Sequence, residues 1–169
     1  MPNKIKINNL YESDLGEILF KNKNDAKIIT IEGSVFDGNG HAVDDVMLET
    51  WQADENGQFH RDNGFARFIP DNLTKKFKLF TVKPGQVETL DGKNQSPHIC
   101  LSISSRGLNM TLNTRIYFED DDLINDPILS TIKNNKGNID SLVAKKIKKN
   151  VYVFDIFLQG DKETVFFNL

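Results

Sequence analysis

The chain has 169 residues, 38% of them hydrophobic, and a formal net charge of −3; that length and apolar content suit one domain with one core. Its 21 basic residues are scattered apart from Lys145, Lys146, Lys148 and Lys149, a cluster that reads as a solvated turn, so no nucleic-acid footprint is expected. No apolar run of about 18 residues occurs, nor an apolar N-terminal stretch behind a basic start, and the single cysteine, Cys100, cannot close an internal disulfide; the expected setting is cytoplasmic, with no membrane partner.

Residues 1–26 form a polar arm, and 27–169 the domain. IITIEGSVF (28–36) alternates as a strand does, and DGNG (37–40) is a turn able to supply positive φ, so a hairpin returning through VMLETWQ (46–52) is predicted. Residues 54–76 read as a long irregular excursion, of the kind that is functional or mobile in a compact domain. FKLFTV (77–82) is a strand closed by Lys83, Pro84 and Gly85. HICLSIS (98–104) follows, with Ile99, Leu101 and Ile103 on one face and His98 and Cys100 side by side on the other. TRIYF (114–118) and VYVFDIFLQ (151–159) are further strands, and TVFFN (164–168) pairs back across Gly160 as a last one. The Asp-Pro start of DPILSTI (126–132) predicts a short helix. Seven or eight short strands with one or two helical turns indicate an all-β fold, an antiparallel β-sandwich.

Three segments carry the functional signal: LETWQADENGQF (48–59), KPGQVETLDGKNQSPHI (83–99) and LQGDKETVFFNL (158–169). In that order and spacing, over about Ile28 to Leu169, the chain resembles the intradiol ring-cleaving dioxygenases, most closely the iron-free alpha subunits of the protocatechuate-cleaving members. The resemblance implies a β-sandwich and, for the family, a ferric ion held by two tyrosinates and two imidazoles. The first tyrosine place, eight after Trp51, is Phe59 here. The second, two after the Lys-Pro-Gly turn, is Val87, and the histidine pair becomes His98 and Cys100. Only His98 survives, so no catalytic and no metal-binding residue is expected in this chain.

The resemblance further implies that the iron belongs to a beta partner and that each active site lies at the alpha–beta contact. Arg106, in the segment SRGLN, matches the arginine that alpha subunits project toward the substrate. A planar guanidinium suits a carboxylate-bearing catechol there. The implied function is that of the iron-free alpha subunit of a heteromer cleaving 3,4-dihydroxybenzoate with O2 to 3-carboxy-cis,cis-muconate. The alternative is a non-catalytic sandwich of the same lineage acting as a binding or scaffold module. Alpha subunits ordinarily carry a Gly-Pro pair near the start, and this chain does not.

Read without the resemblance, His98 and Cys100 admit two accounts. Together they could contribute to a zinc site; more simply, His98 is a hydrogen-bonded buried residue and Cys100 a small apolar filler. His41 and His60 read as surface residues. Tyr11, Tyr117 and Tyr152 all fall away from the ligand places in sequence, which leaves no relocated phenolate site.

Overall fold

A computed structural model describes residues 28–61 and 63–167; the polar arm, Tyr11, Asn168 and Leu169 lie outside them. Strands dominate: Ile28–Gly33 (β1), Val35–Phe36 (β2), Ala42–Val43 (β3), Val46–Gln52 (β4), Phe65–Phe68 (β5), Phe77–Val82 (β6), Val87–Glu88 (β7), Asn94–Gln95 (β8), His98–Ser105 (β9), Leu112–Phe118 (β10), Val143–Lys148 (β11), Val151–Val153 (β12) and Ile156–Phe157 (β13). Eight form one sheet in the order β5-β4-β9-β10-β11-β12-β1-β6, and the rest form a three-stranded and a two-stranded sheet.

The fold is all-β with one α-helix among the described residues, but the strands are not all antiparallel: β1 with β12, β10 with β11 and β13 with β2 run parallel. Local sequence carries no mark of this, because parallel neighbours are joined through distant chain. Residues 28–36 and 150–158 run side by side, the Phe154, Ile156 and Leu158 amides donating to the Glu32, Ser34 and Phe36 carbonyls at 2.9 Å each. Each run is split where they pass from one sheet to the other. At that crossing a Cβ on Gly33 would stand 1.9 Å from the Phe154 carbonyl oxygen, so only glycine fits.

Period-two alternation builds the core. Ile29 and Ile31, Val46 and Leu48, Ile99, Leu101 and Ile103, and Ile116 and Phe118 all turn inward and are buried. The large sheet curls around them until its edge strands meet: the Phe68 and Phe77 rings lie 5.9 Å apart. Gln52 helps close that gap, donating to the Val82 carbonyl (3.0 Å) and accepting from the Thr81 hydroxyl (2.7 Å). On the outer face of the sheet, Tyr117, Leu129, Ile132 and Leu142 make a second small core with Ile128, Val165 and Phe167 against it. This core rests on the helix Pro127–Asn134 (α1), where Asp126 caps the Ile128 and Leu129 amides and Pro127 occupies the first turn, as the Asp-Pro signal predicts.

Four expectations are corrected. The DGNG turn closes β2 on the two-residue β3; β4 lies elsewhere, between β5 and β9, because the chain crosses over at Asp44 and Asp45. The excursion over 54–76 contains β5, whose Phe65, Ala66, Arg67 and Phe68 alternate in burial. The lysine cluster belongs largely to β11, an outward-facing strand instead of a turn. Residues 164–166 form no strand: Thr164 closes a turn onto Phe157, and the chain then bridges Asn113 through Phe167. No helix among the described residues is long and apolar enough to cross a membrane.

Candidate functional site

The residues that carry the resemblance build a scaffold. Asp54 is buried, and its carboxylate accepts from the Asn56 and Gln58 amides (2.9 and 3.0 Å) and meets His60 Nε2 at 2.9 Å. Burial alone raises its pKa, but the hydrogen bonds from His60, Gln58 and Asn56 outweigh that and hold it at about 2. The Gly85 amide donates to the Asp54 carbonyl at 2.8 Å, so the Lys-Pro-Gly turn is bolted onto the loop that follows β4. That contact needs two glycines: a Cβ on Gly57 would fall 1.9 Å from the Gln86 carbonyl oxygen, and one on Gly85 would fall 2.6 Å from the Gly57 nitrogen. Phe59 and Val87 each leave this double loop within two residues of its contact.

The outer faces of β4, β9 and β10 receive them. Trp51, Cys100 and Arg115 lie in register in one row, Glu49, Ser102 and Asn113 in the next, and His98 opposite Tyr117 in a third. Phe59 stacks on Trp51, with ring centroids 6.2 Å apart and planes 4° from parallel. Val87 pairs with Gln95, and Gln95 Oε1 accepts from Arg115 Nη1 at 2.5 Å. The four places that the resemblance assigns to iron thus connect to one residue that sequence reasoning passed over, Arg115: Cys100 and His98 directly, Phe59 through Trp51 and Val87 through Gln95. Strand alternation in TRIYF puts Arg115 and Tyr117 on the face opposite Ile116 and Phe118, and that signal was available.

Tyr117, read as remote from the ligand places, is corrected: its ring lies 5.7 Å from His98. Separation along the chain hid a cross-strand pair. Burial pushes the phenol up to about 12, so it is a neutral hydroxyl, 3.3 Å from Arg115 Nη1. His98 is buried and its Nδ1–H donates to the Ser96 carbonyl at 2.8 Å. Burial, and then the neighbouring guanidinium, bring its pKa down to about 4. Burial raises the Cys100 thiol, although Arg115 pulls the other way.

A ferric ion does not fit these residues: Phe59 and Val87 have no donor atom, and a guanidinium stands among the other two. Among the described residues no three of His, Cys, Asp and Glu come together to hold any metal, which weighs against zinc at His98 and Cys100. His41 is exposed on the Asp37 turn, and His60 is spent on Asp54.

Arg106 lies elsewhere. It follows the last residue of β9, eight residues past His98, or roughly 26 Å along an extended strand. It is exposed, and its Nε is ion-paired with Asp45 Oδ2. Asp45, which the sequence did not flag, is held in turn by its carbonyl, which accepts from Ser105 Oγ at 2.5 Å. Around them an open cavity of about 680 Å³ is lined by Val46, Met47, Ile69 and Asn72.

A family described as Dioxygenase matches residues 7–160. The protocatechuate 3,4-dioxygenase alpha chain of Pseudomonas putida is 40% identical over 152 residues, covering 83% of this chain and 75% of the relative. Its counterpart from Burkholderia cepacia is 35% identical over 161 residues, covering 86% and 79%. Among solved structures, catechol 1,2-dioxygenase from Pseudomonas arvilla C-1 superposes with a TM-score of 0.63 at 17% identity, covering 86% of this chain and 57% of that one. The dioxygenase domain of a carbohydrate-binding fusion from Streptomyces sp. SirexAA-E gives 0.59 at 20% identity, covering 81% and 84%. Those two share the fold; the match over residues 7–160 and the identity to the alpha chains say more, and the chain belongs to the intradiol dioxygenase family.

Proposed function

We propose that this chain is the iron-free alpha subunit of a protocatechuate 3,4-dioxygenase. In complex with an iron-binding beta subunit, it serves the cleavage of 3,4-dihydroxybenzoate by O2, both oxygen atoms entering the ring-opened product, 3-carboxy-cis,cis-muconate. One observation carries the reading: the family's ligand places persist as a framework with a cation among them, in a chain 40% identical to a relative named as an alpha chain. Redox chemistry then falls to the partner, and so does its ferric ion.

Arg106 is the residue this chain lends to the partner's site. Asp45 occupies its Nε and no other partner meets its side chain among the described residues, so its two terminal nitrogens are presented as a fork for a substrate carboxylate. The same reading takes residues 1–26 as an arm, 27–169 as the domain, and the two halves of the curled sheet as the layers of a sandwich. It places the complex in the cytoplasm, in keeping with the single cysteine.

The test is co-expression with a candidate beta subunit and oxygen uptake on catechols with and without a carboxylate. Arg106→Ala raises KM for protocatechuate roughly ten- to a hundredfold, as loss of a charge-assisted bidentate contact does, and leaves catechol little changed. Arg106→Lys recovers part of it, because an ammonium lacks the planar fork. Equal losses on both substrates make Arg106 a structural or subunit contact. Absence of uptake with any beta partner leaves the scaffold or binding module as the better account.

A further inference from the structure

We propose that the cavity between β9, β10, the start of α1 and Phe167 binds a small aromatic carboxylate, with Arg115 and Asn113 holding the carboxylate and Ile128 and Phe167 packing its ring. The cavity measures about 280 Å³ and is lined by Cys100, Ser102, Asn113, Arg115, Ile128 and Phe167 among others. It is separate from the Arg106 surface, which lies six residues beyond Cys100 on the far end of β9, roughly 20 Å away along the strand.

Charge points to an anion. Arg115 is half-buried, and its partners, Gln95 Oε1, Tyr117 Oη and the Cys100 thiol, are all neutral. It forms no ion pair among the described residues. The carboxylate that acts on its neighbours, Asp126, is already spent: one oxygen caps α1 and the other accepts from the Ser96 amide at 2.8 Å. A half-buried cation whose only acceptors are neutral still lacks a counter-charge. An anion entering the cavity completes it.

The remaining groups narrow the class. Asn113 Oδ1 accepts from Ser102 Oγ at 2.7 Å, which leaves the amide NH2 of Asn113 as a second donor. Phe167 is fixed beside it, since its own amide donates to the Asn113 carbonyl at 2.7 Å. A lining that combines these two donors with the apolar Ile128 and Phe167 suits a ligand with one charged end and one flat apolar end. At about 280 Å³ the space sits at the small end of the roughly 300–1,000 Å³ range of ligand pockets, enough for a single ring. A divalent cation is disfavoured by the guanidinium, and a bare phosphate leaves the apolar wall uncovered.

The probe is 4-fluorobenzoate, titrated into the full chain and followed by fluorine NMR, alongside the rate at which iodoacetamide alkylates Cys100, the only cysteine. Saturable line broadening and slowed alkylation with one shared midpoint are expected, at concentrations below about 10 mM. Arg115→Gln weakens both at least roughly tenfold, in line with loss of a charge-assisted contact. Ile128→Trp abolishes both by filling the cavity, and Arg106→Ala leaves the protection of Cys100 unchanged. If Arg115→Gln fails to fold by circular dichroism, Ile128→Trp and the uncharged 4-fluorobenzamide carry the test. The proposal is overturned if the benzamide binds as well as the benzoate, if inorganic phosphate protects Cys100 equally, or if Ile128→Trp leaves binding intact.

Discussion

His98 is held neutral by its surroundings, and that has a measurable pH signature. Burial and the Arg115 charge lower its pKa from 6.5 to about 4. Between those values the unfolded chain binds a proton that the folded chain refuses, so stability is complete above pH 6.5 and falls as pH drops toward 4. At about 1.36 kcal/mol per unit, the loss comes to about 3 kcal/mol. Chemical denaturation at pH 7 and pH 4.5 should show this loss for the native chain and much less of it for His98→Gln; equal losses would assign the acid sensitivity elsewhere. Asp54 acts in a different window. Its pKa is depressed from 3.8 to about 2, so its contribution is present above 3.8 and disappears only as pH falls toward 2.

The double loop that carries Phe59 and Val87 depends on backbone approach more than on side chains. Gly57 has φ +78° and no room for a Cβ, whereas Gly40 has φ +79° and nothing within 4 Å of that position. Their alanine variants therefore separate two effects. Gly40→Ala costs about 1–2 kcal/mol for the left-handed conformation alone, while Gly57→Ala adds about 1–3 kcal/mol for the forced displacement of the Gln86 carbonyl. Urea midpoints that move equally for the two variants would show that the loops part without penalty. At this scale the sequence was readable wherever one face is buried. β4, β6 and β9 stand where alternation puts them, and Asp126 with Pro127 starts α1 as expected. What alternation cannot report is the partner strand: it missed the parallel pairs, β3 as the returning strand, and β5, whose four residues are too few to stand out from their polar flanks.

At the scale of the whole molecule, the site was legible by contrast with a family pattern. Phe59, Val87 and Cys100 are conspicuous only where oxygen and nitrogen donors are anticipated, and Arg115 escaped notice because its meaning lies in register across β9 and β10. The surface around Arg106 was legible only in part, as an arginine in a turn. The structure adds that Ile69 is 58% exposed, with Met47 and Val46 lining the same cavity as Arg106 and Ile69. Isolated apolar residues on a surface are ordinary, but Ile69 and Met47 beside a guanidinium that keeps its terminal nitrogens open suit burial by a partner, where a stable contact covers about 1,600 Å² in total. The isolated chain should accordingly self-associate as its concentration rises, and Ile69→Glu should suppress that and weaken capture of a beta subunit about tenfold or more, as loss of a buried interface anchor does. Ile147, 56% exposed on β11, is the control, and Ile147→Glu should change neither quantity. Light scattering on the chain alone and calorimetric titration with the beta subunit measure the two effects. A monodisperse monomer at high concentration, together with beta-subunit affinity unaltered by Ile69→Glu, would move the contact away from Arg106 and with it the reading of that arginine as a substrate ligand.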